Sequence, residues 1–182
     1  PLPSSMQRLD DIEALGAQRL THKTGGVDAA LAERMGALTG QTVAQILYTS
    51  GTTSFPKGAM VCHGPLLQNN QYATTCLALS TADRYLSCVP LFTATGTFYT
   101  LALWLSGGCM VIQDGFEPQA FCEAVQREKI TITYFVDTIV QDLRAYPDLD
   151  RYDFSSLRTG TGAPLPTASF LWVSQRLGVP QL

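Results

Sequence analysis

From Ala44 onward, apolar and polar positions alternate in short blocks whose period changes from block to block. The run AQILYT reads as a β-rich segment, and it opens onto a polar stretch. A long segment, GPLLQNNQYATTCLAL, then reads as a helix. RYLSCVPLF predicts a strand, and GTFYTLALWLSGG a buried helix ended by paired glycines. CMVIQ is a strand. In EPQAFCEAVQREK, Phe121, Ala124 and Val125 fall at helical spacing, with Pro118 near the first turn. ITITYFV is a β-branched strand, and TIVQDLRAYP a helix stopped by Pro147. SSLRTG follows as a short strand and PTASFLWVSQRLG as a closing helix. Ahead of this series, LDDIEALGAQRL and VDAALAERMGAL predict two helices joined by THKTGG.

Strand and helix in alternation build a mostly parallel sheet with helices on both faces, so the expected class is α/β. Residues 1–44 are expected to form a leading helical and connecting segment, and residues 45–182 the α/β portion. In such sheets ligands bind beyond the carboxyl ends of the strands. The polar stretch after AQILYT is expected to occupy such a position. FYTLALWL reads as core, and Asp83 and Arg84 as residues that fix the start of a strand.

Composition narrows the class further. Of 182 residues, 46% are hydrophobic and 15% charged, which suits a globular chain. The net charge is −3 with no basic run, so no nucleic-acid partner is expected. The patch FYTLALWL is too short to span a bilayer, and PLPSSMQRLDDIEALG places acids where a cleavable leader has an apolar centre. A cytoplasmic protein without a transmembrane segment is the expectation. The five cysteines are scattered without a Cys-x-x-Cys pair, and His22 and His63 are isolated. Buried, reduced thiols and no metal site are therefore expected.

Candidate chemistry concentrates in YTSGTTSFPKG, Tyr48 to Gly58. Phosphate is held by hydroxyls, backbone N–H groups and a cation, and glycine lets the backbone approach closely. Thr49, Ser50, Thr52, Thr53 and Ser54 supply hydroxyls, Gly51 and Gly58 permissive backbone, and Lys57 the charge. A Walker A loop has glycine before the lysine and Ser or Thr after it; here Pro56 precedes and Gly58 follows. Composition alone leaves this stretch open between a phosphate site and a solvated turn.

The order of residues adds a resemblance. YTSGTTSFPKGAM resembles the phosphate loop of the adenylate-forming superfamily, Thr-Ser-Gly-Thr-Thr-Gly-x-Pro-Lys-Gly, with Ser54 in place of a glycine. HGPLLQNN is similar to that family's Thr-His-x-x-Leu helix start, with Cys62 for the threonine. DRYLSCVPLFTATGT resembles its Asp-Arg…Pro-Leu-Phe-His-x-x-Gly segment, with Thr93 for the histidine. FEPQAFCEAVQREKITITYFVDTIVQDL and YDFSSLRTGTGAPLP are similar to the helix–strand–helix and the Gly-Ala-Pro-Leu turn that follow, with FVDT for a Val-Pro-Thr turn. The wording is nearest to acyl-CoA synthetases, and the likeness runs in order over residues 45–182.

The resemblance implies part of the larger N-terminal domain of an enzyme that joins a carboxylic acid to AMP from Mg²⁺-bound ATP. The acyl group then passes to a thiol of coenzyme A or a carrier protein. Lys57 would be the catalytic cation at the leaving pyrophosphate, with Thr49 to Ser54 and Gly58 as phosphate ligands. Gly160, Thr161, Gly162, Ala163 and Pro164 would form the turn against adenine and the acid, or a plain strand-to-helix turn. Phe92, Thr93 and Gly96 would line the acyl side, with packing the alternative for Phe92. The family's Tyr-Gly-x-Thr-Glu segment and its lysine-bearing C-terminal domain are not met before Leu182, so a longer enzyme is expected, with this part inactive alone and capable of self-association. A non-catalytic nucleotide or acyl-binding module is the alternative. A peptide-synthetase adenylation domain is disfavoured, because no Asp lies between Tyr85 and Ile112.

Overall fold

The computed structural model describes residues 8–21, 26–49 and 55–180. It divides into two units, Pro1–Thr42 and Val43–Leu182. The first contains α1 (Leu9–Thr21) and α2 (Gly26–Gly36). Both helices coincide with the expected ones, and Leu9, Ile12, Leu15, Leu31 and Met35 are exposed on them. Among the described residues no helix is long and apolar enough to cross a membrane.

The second unit opens with a hairpin. Strands β1 (Val43–Thr49) and β2 (Lys57–Cys62) pair antiparallel, from Val43 opposite Cys62 to Thr49 opposite Lys57. This corrects the expectation that AQILYT enters the parallel sheet. Seven residues separate the two strands, enough for a hairpin, whereas parallel pairing needs a crossover of about a dozen residues or more. The expected strand does end where the polar stretch begins, at Thr49. Residues 50–54 lie outside the described ones. Helix α3 (His63–Cys76) follows β2 directly.

Strands β3 (Arg84–Ser87), β4 (Cys109–Ile112), β5 (Ile132–Tyr134) and β6 (Thr159–Thr161) form the expected parallel sheet, in the order β4-β3-β5-β6. Helices α4 (Ala94–Ser106), α5 (Pro118–Glu128) and α6 (Asp137–Ala145) make the crossovers, and α7 (Thr167–Arg176) follows β6. Local chemistry sets their ends. Thr93 Oγ1 caps α4 by accepting from Gly96 N at 3.1 Å, and Gly107 closes it at φ 76°. Glu117 caps α5 by accepting from Gln119 N and Ala120 N, with Pro118 in the first turn.

Side chains alternate across the strands, so the core lies on both faces. Tyr85, Ile132 and Tyr134 pack with Leu103 of α4 on one face. Leu86 packs on the other with Phe121 and Val125 of α5, Ile139, Val140 and Leu143 of α6, and Val173 of α7. Phe121, Ala124 and Val125 are buried, as their spacing predicts. Cysteines are a partial correction. Cys88 and Cys122 are buried, and burial pushes their thiols up to about 11 and about 12. Cys76 and Cys109 are exposed and Cys62 half-buried, because Cys76 ends α3 toward solvent and Cys109 starts the edge strand β4.

One network ties the strand starts together. Asp83, Thr131 and Arg158 each precede the first residue of β3, β5 and β6. Arg158 donates to both Asp83 carboxylate oxygens at 2.8 and 2.7 Å, and Thr131 Oγ1 donates to the same carboxylate at 2.7 Å. Ser80 N adds a fourth bond at 2.8 Å. Arg158 also reaches Leu77 O and Ala78 O. Burial would raise the Asp83 carboxyl, but Arg158, Thr131 and Ser80 outweigh it and hold it below the ordinary carboxylate range.

Candidate active site

At the opposite end of the sheet the strands β5 and β6 finish beside a cavity of about 430 Å³. Its walls come from four directions. The hairpin supplies Gln45, Leu47 and Val61, and α3 supplies Leu66 and Asn69. The first turns of α4 supply Ala94, Thr95, Phe98 and Tyr99. Tyr134 closes β5, Thr161 closes β6, and Gly162 and Ala163 continue the wall beyond it. None of these side chains carries a formal charge. The position is one parallel sheets favour, since β3 leads to α4 on one face and β5 to α6 on the other, opening a crevice between the strand ends.

Aromatic rings build one wall. Tyr99 packs at 5.0 Å from Phe98, 5.2 Å from Tyr134 and 5.9 Å from Tyr85, centroid to centroid. The Tyr99 hydroxyl bonds the Thr161 hydroxyl, and burial raises its phenol above the usual value. The Tyr134 hydroxyl donates to Ala163 O at 2.5 Å and accepts from Ala163 N at 3.1 Å. The amino end of α4, with Ala94 and Thr95 in its first turn, brings the positive end of its dipole to the cavity edge.

The residues expected from the sequence divide into three groups. Thr161, Gly162 and Ala163 line the cavity, with Gly160 buried in β6 beneath them and Pro164 exposed beyond. Thr49 and Lys57 face each other as the outermost pair of the hairpin, and both are exposed. Opposed residues of an antiparallel pair share a face, so Thr49 and Lys57 project on the side of Gln45, Leu47 and Val61, the cavity side. No hydrogen bond or ion pair from a described residue engages the Lys57 ammonium. Gly58 sits opposite Tyr48, and a Cβ on it would stand 2.9 Å from Ile46 Cγ2 and 3.5 Å from the Tyr48 ring. Ser50, Gly51, Thr52, Thr53 and Ser54 lie outside the described residues.

The acyl-side set differs from expectation. Phe92 is 84% exposed and is not among the cavity-lining residues, because β3 ends at Ser87 and the chain turns outward before α4. Thr93 is occupied as the α4 cap, and its hydroxyl also donates to Pro90 O at 2.7 Å. A Cβ on Gly96 would lie 2.4 Å from Pro90 O, so this glycine lets α4 begin against the preceding turn.

A family model described as AMP-binding enzyme matches residues 4–182. The chain belongs to the AMP-binding enzyme family. YngI of Bacillus subtilis (strain 168), named as an acyl-CoA synthetase, is 36% identical over 182 residues, 98% of this chain and 32% of its own length. Feruloyl-CoA synthase of Amycolatopsis sp is 36% identical over 165 residues, 88% of this chain and 34% of its own length. The solved anthranilate CoA ligase AuaEII in complex with anthranoyl-AMP superposes with a TM-score of 0.70 at 26% identity, covering 78% of this chain and 29% of that one. The chain thus spans about a third of the length of the curated relatives it matches.

In this family member, sequence reasoning missed most of the cavity walls. Thr95, Phe98 and Tyr99 stand at i, i+3 and i+4 on α4, a stripe that reads as core when no partner surface is known. Gln45 and Leu47 alternate correctly along β1, but which face meets a cavity depends on the hairpin. Tyr134 sits in a β-branched run whose neighbours are buried, which hid its phenol's role.

Proposed function

We propose that the protein to which this chain belongs activates a carboxylic acid with ATP and transfers the acyl group to the thiol of coenzyme A. The observation that supports this most is the uncharged cavity, whose hairpin wall continues on the same face to Thr49 and Lys57. The apolar body of an acid suits an uncharged pocket. A cation at the outer end of that face suits a departing pyrophosphate, where negative charge concentrates.

In the first step a carboxylate oxygen attacks the α-phosphorus of ATP and the bond to the bridging oxygen breaks, releasing pyrophosphate. In the second the thiol sulfur attacks the acyl carbon and AMP leaves. Lys57 carries the charge of the first step, and the hydroxyls and backbone of Thr49 to Ser54 with Gly58 hold the phosphates. Magnesium arrives on the nucleotide as part of that substrate. The Gly160–Pro164 turn lies between the adenylate and the acid. Phe98, Tyr99 and Tyr134 offer ring faces to the acid, which favours an aryl acid. Relatives named for feruloyl-CoA and anthranilate support that choice, and their names support coenzyme A as acceptor.

The test is acid-dependent ATP–pyrophosphate exchange by the full-length protein with fatty, aryl and amino acids. Exchange with aryl acids is expected, and Lys57→Ala should slow adenylation on the order of 10²-fold, with a smaller effect on nucleotide affinity. Full rate in a folded Lys57→Ala variant would remove the lysine from the chemistry. No exchange with any acid would favour a binding module without catalysis.

A further inference from the structure

The wall formed by residues 161–165 has little backbone support of its own. Phe135 N donates to Thr161 O at 2.8 Å, and the next main-chain bond after it begins at Pro166 O, which accepts from Ser169 N. Among the described residues, the hydrogen bonds of the wall between these points are the two that Ala163 makes with the Tyr134 phenol. A single hydroxyl thus takes the place of a missing strand partner, meeting both the N–H and the C=O of one residue. Two positions upstream the Tyr99 hydroxyl holds the Thr161 side chain. Below the turn, Gly162 is wedged so closely that a Cβ would stand 2.5 Å from Phe135 O.

These two phenols belong to cavity residues, and their polar tips bond the wall at the end of the neighbouring strand β6. Two walls of the site, α4 with β5 on one side and the turn after β6 on the other, are therefore cross-linked through hydroxyls.

Building on the aryl-acid activity proposed above, we propose that Tyr99 and Tyr134 are positioning residues for acid selectivity. By latching the Thr161–Ala163 wall they hold the width of the acid pocket, so that compact flat acids are chosen over bulkier ones. The latch acts through the wall, not on the reacting atoms. With the bonds cut, the wall can retreat and larger acids gain access.

The experiment is a size profile of kcat/KM for the full-length protein over benzoate, 2-naphthoate and straight-chain acids from butyrate to dodecanoate. Wild type is compared with Tyr134→Phe, Tyr99→Phe, Thr161→Val and the Tyr99→Phe/Thr161→Val double variant. Each ring is kept, so the pocket surface is nearly unchanged. The ratio of kcat/KM for the bulkier acids to that for the best acid should rise about three- to tenfold, the scale of one hydrogen bond, with KM for the best acid rising more than its kcat falls. The double variant should shift the ratio no further than either single change, because both remove the same bond. A uniform loss across all acids, an unchanged profile, or additive effects in the double variant would overturn the latch.

Hydrogen–deuterium exchange supplies an arm independent of activity. In Tyr134→Phe the Ala163 amide should exchange about tenfold faster than in wild type, since its protecting bond is gone. Unchanged exchange would overturn the latch. A wild type without acid-dependent exchange would instead count against the proposed activity, and the amide measurement would still decide whether the phenol holds the wall.

Discussion

At the starts of β3, β5 and β6, the side chains of Asp83, Thr131 and Arg158 form one bonded network with the nearby backbone, while at the ends of β5 and β6 the residues Tyr134 and Thr161 line a cavity. A parallel sheet brings all its strand starts to one edge and all its strand ends to the other, so each edge becomes a single chemical surface. The first edge is closed, with a carboxylate whose side chain is 2% exposed held by a guanidinium. The second has no charged lining and keeps a cavity. Stability and ligand access are thereby assigned to opposite edges, and a change at one edge should leave the function of the other largely intact.

The largest expected effect is at the closed edge. Asp83→Ala leaves the guanidinium without its carboxylate and frees Thr131 Oγ1, Ser80 N and Ser80 Oγ, so global stability should fall by about 3–5 kcal/mol in chemical denaturation. Acid selectivity of the folded fraction should stay as in wild type. A loss below about 1 kcal/mol, the range of surface pairs, would break the contrast.

At the open edge, Gly162→Ala drives a methyl toward Phe135 O and Leu165, at about 1–3 kcal/mol for overpacking. Here KM for the acid should rise together with the stability loss, since the displaced wall faces the cavity. Destabilisation with an unchanged KM would show that this wall does not meet the substrate.

The smallest effect is a pH dependence. The carboxyl of Asp83 is lowered in the folded protein, so its contribution to stability is complete above the ordinary carboxylate value of 3.8 and disappears as pH falls through the lowered one. Acid titration of stability should therefore be flatter below pH 3.8 for Asp83→Asn than for wild type. Equal slopes would take Asp83 out of the acid response.

Much of the frame was legible along the chain. Phe121, Ala124 and Val125 declare their buried face by spacing, because helical contact is local and three or four residues suffice to show it. The role of Asp83 was legible as well, from its place directly before a strand. The hairpin was not. KGAMVC lacks a strong β pattern, and its pairing with VAQILYT depends on cross-strand partners up to nineteen positions away, Val43 opposite Cys62. Missing that strand also misplaced Lys57, which is the first residue of β2 rather than part of a loop leading into a helix.

Residue order over 45–182 was sufficient for the α/β class, the two-faced helical cover and the family, since periodicity, turn residues and motif spacing are properties of neighbours. Which side chains meet in the cavity is another matter. Tyr99 reaches Thr161 across 62 positions and Tyr134 reaches Ala163 across 29. Those encounters exist because β5 lies between β3 and β6, which brings α4, the end of β5 and the turn after β6 to one edge of the sheet. Strand order follows from packing both faces at once, and no local pattern in the chain encodes it.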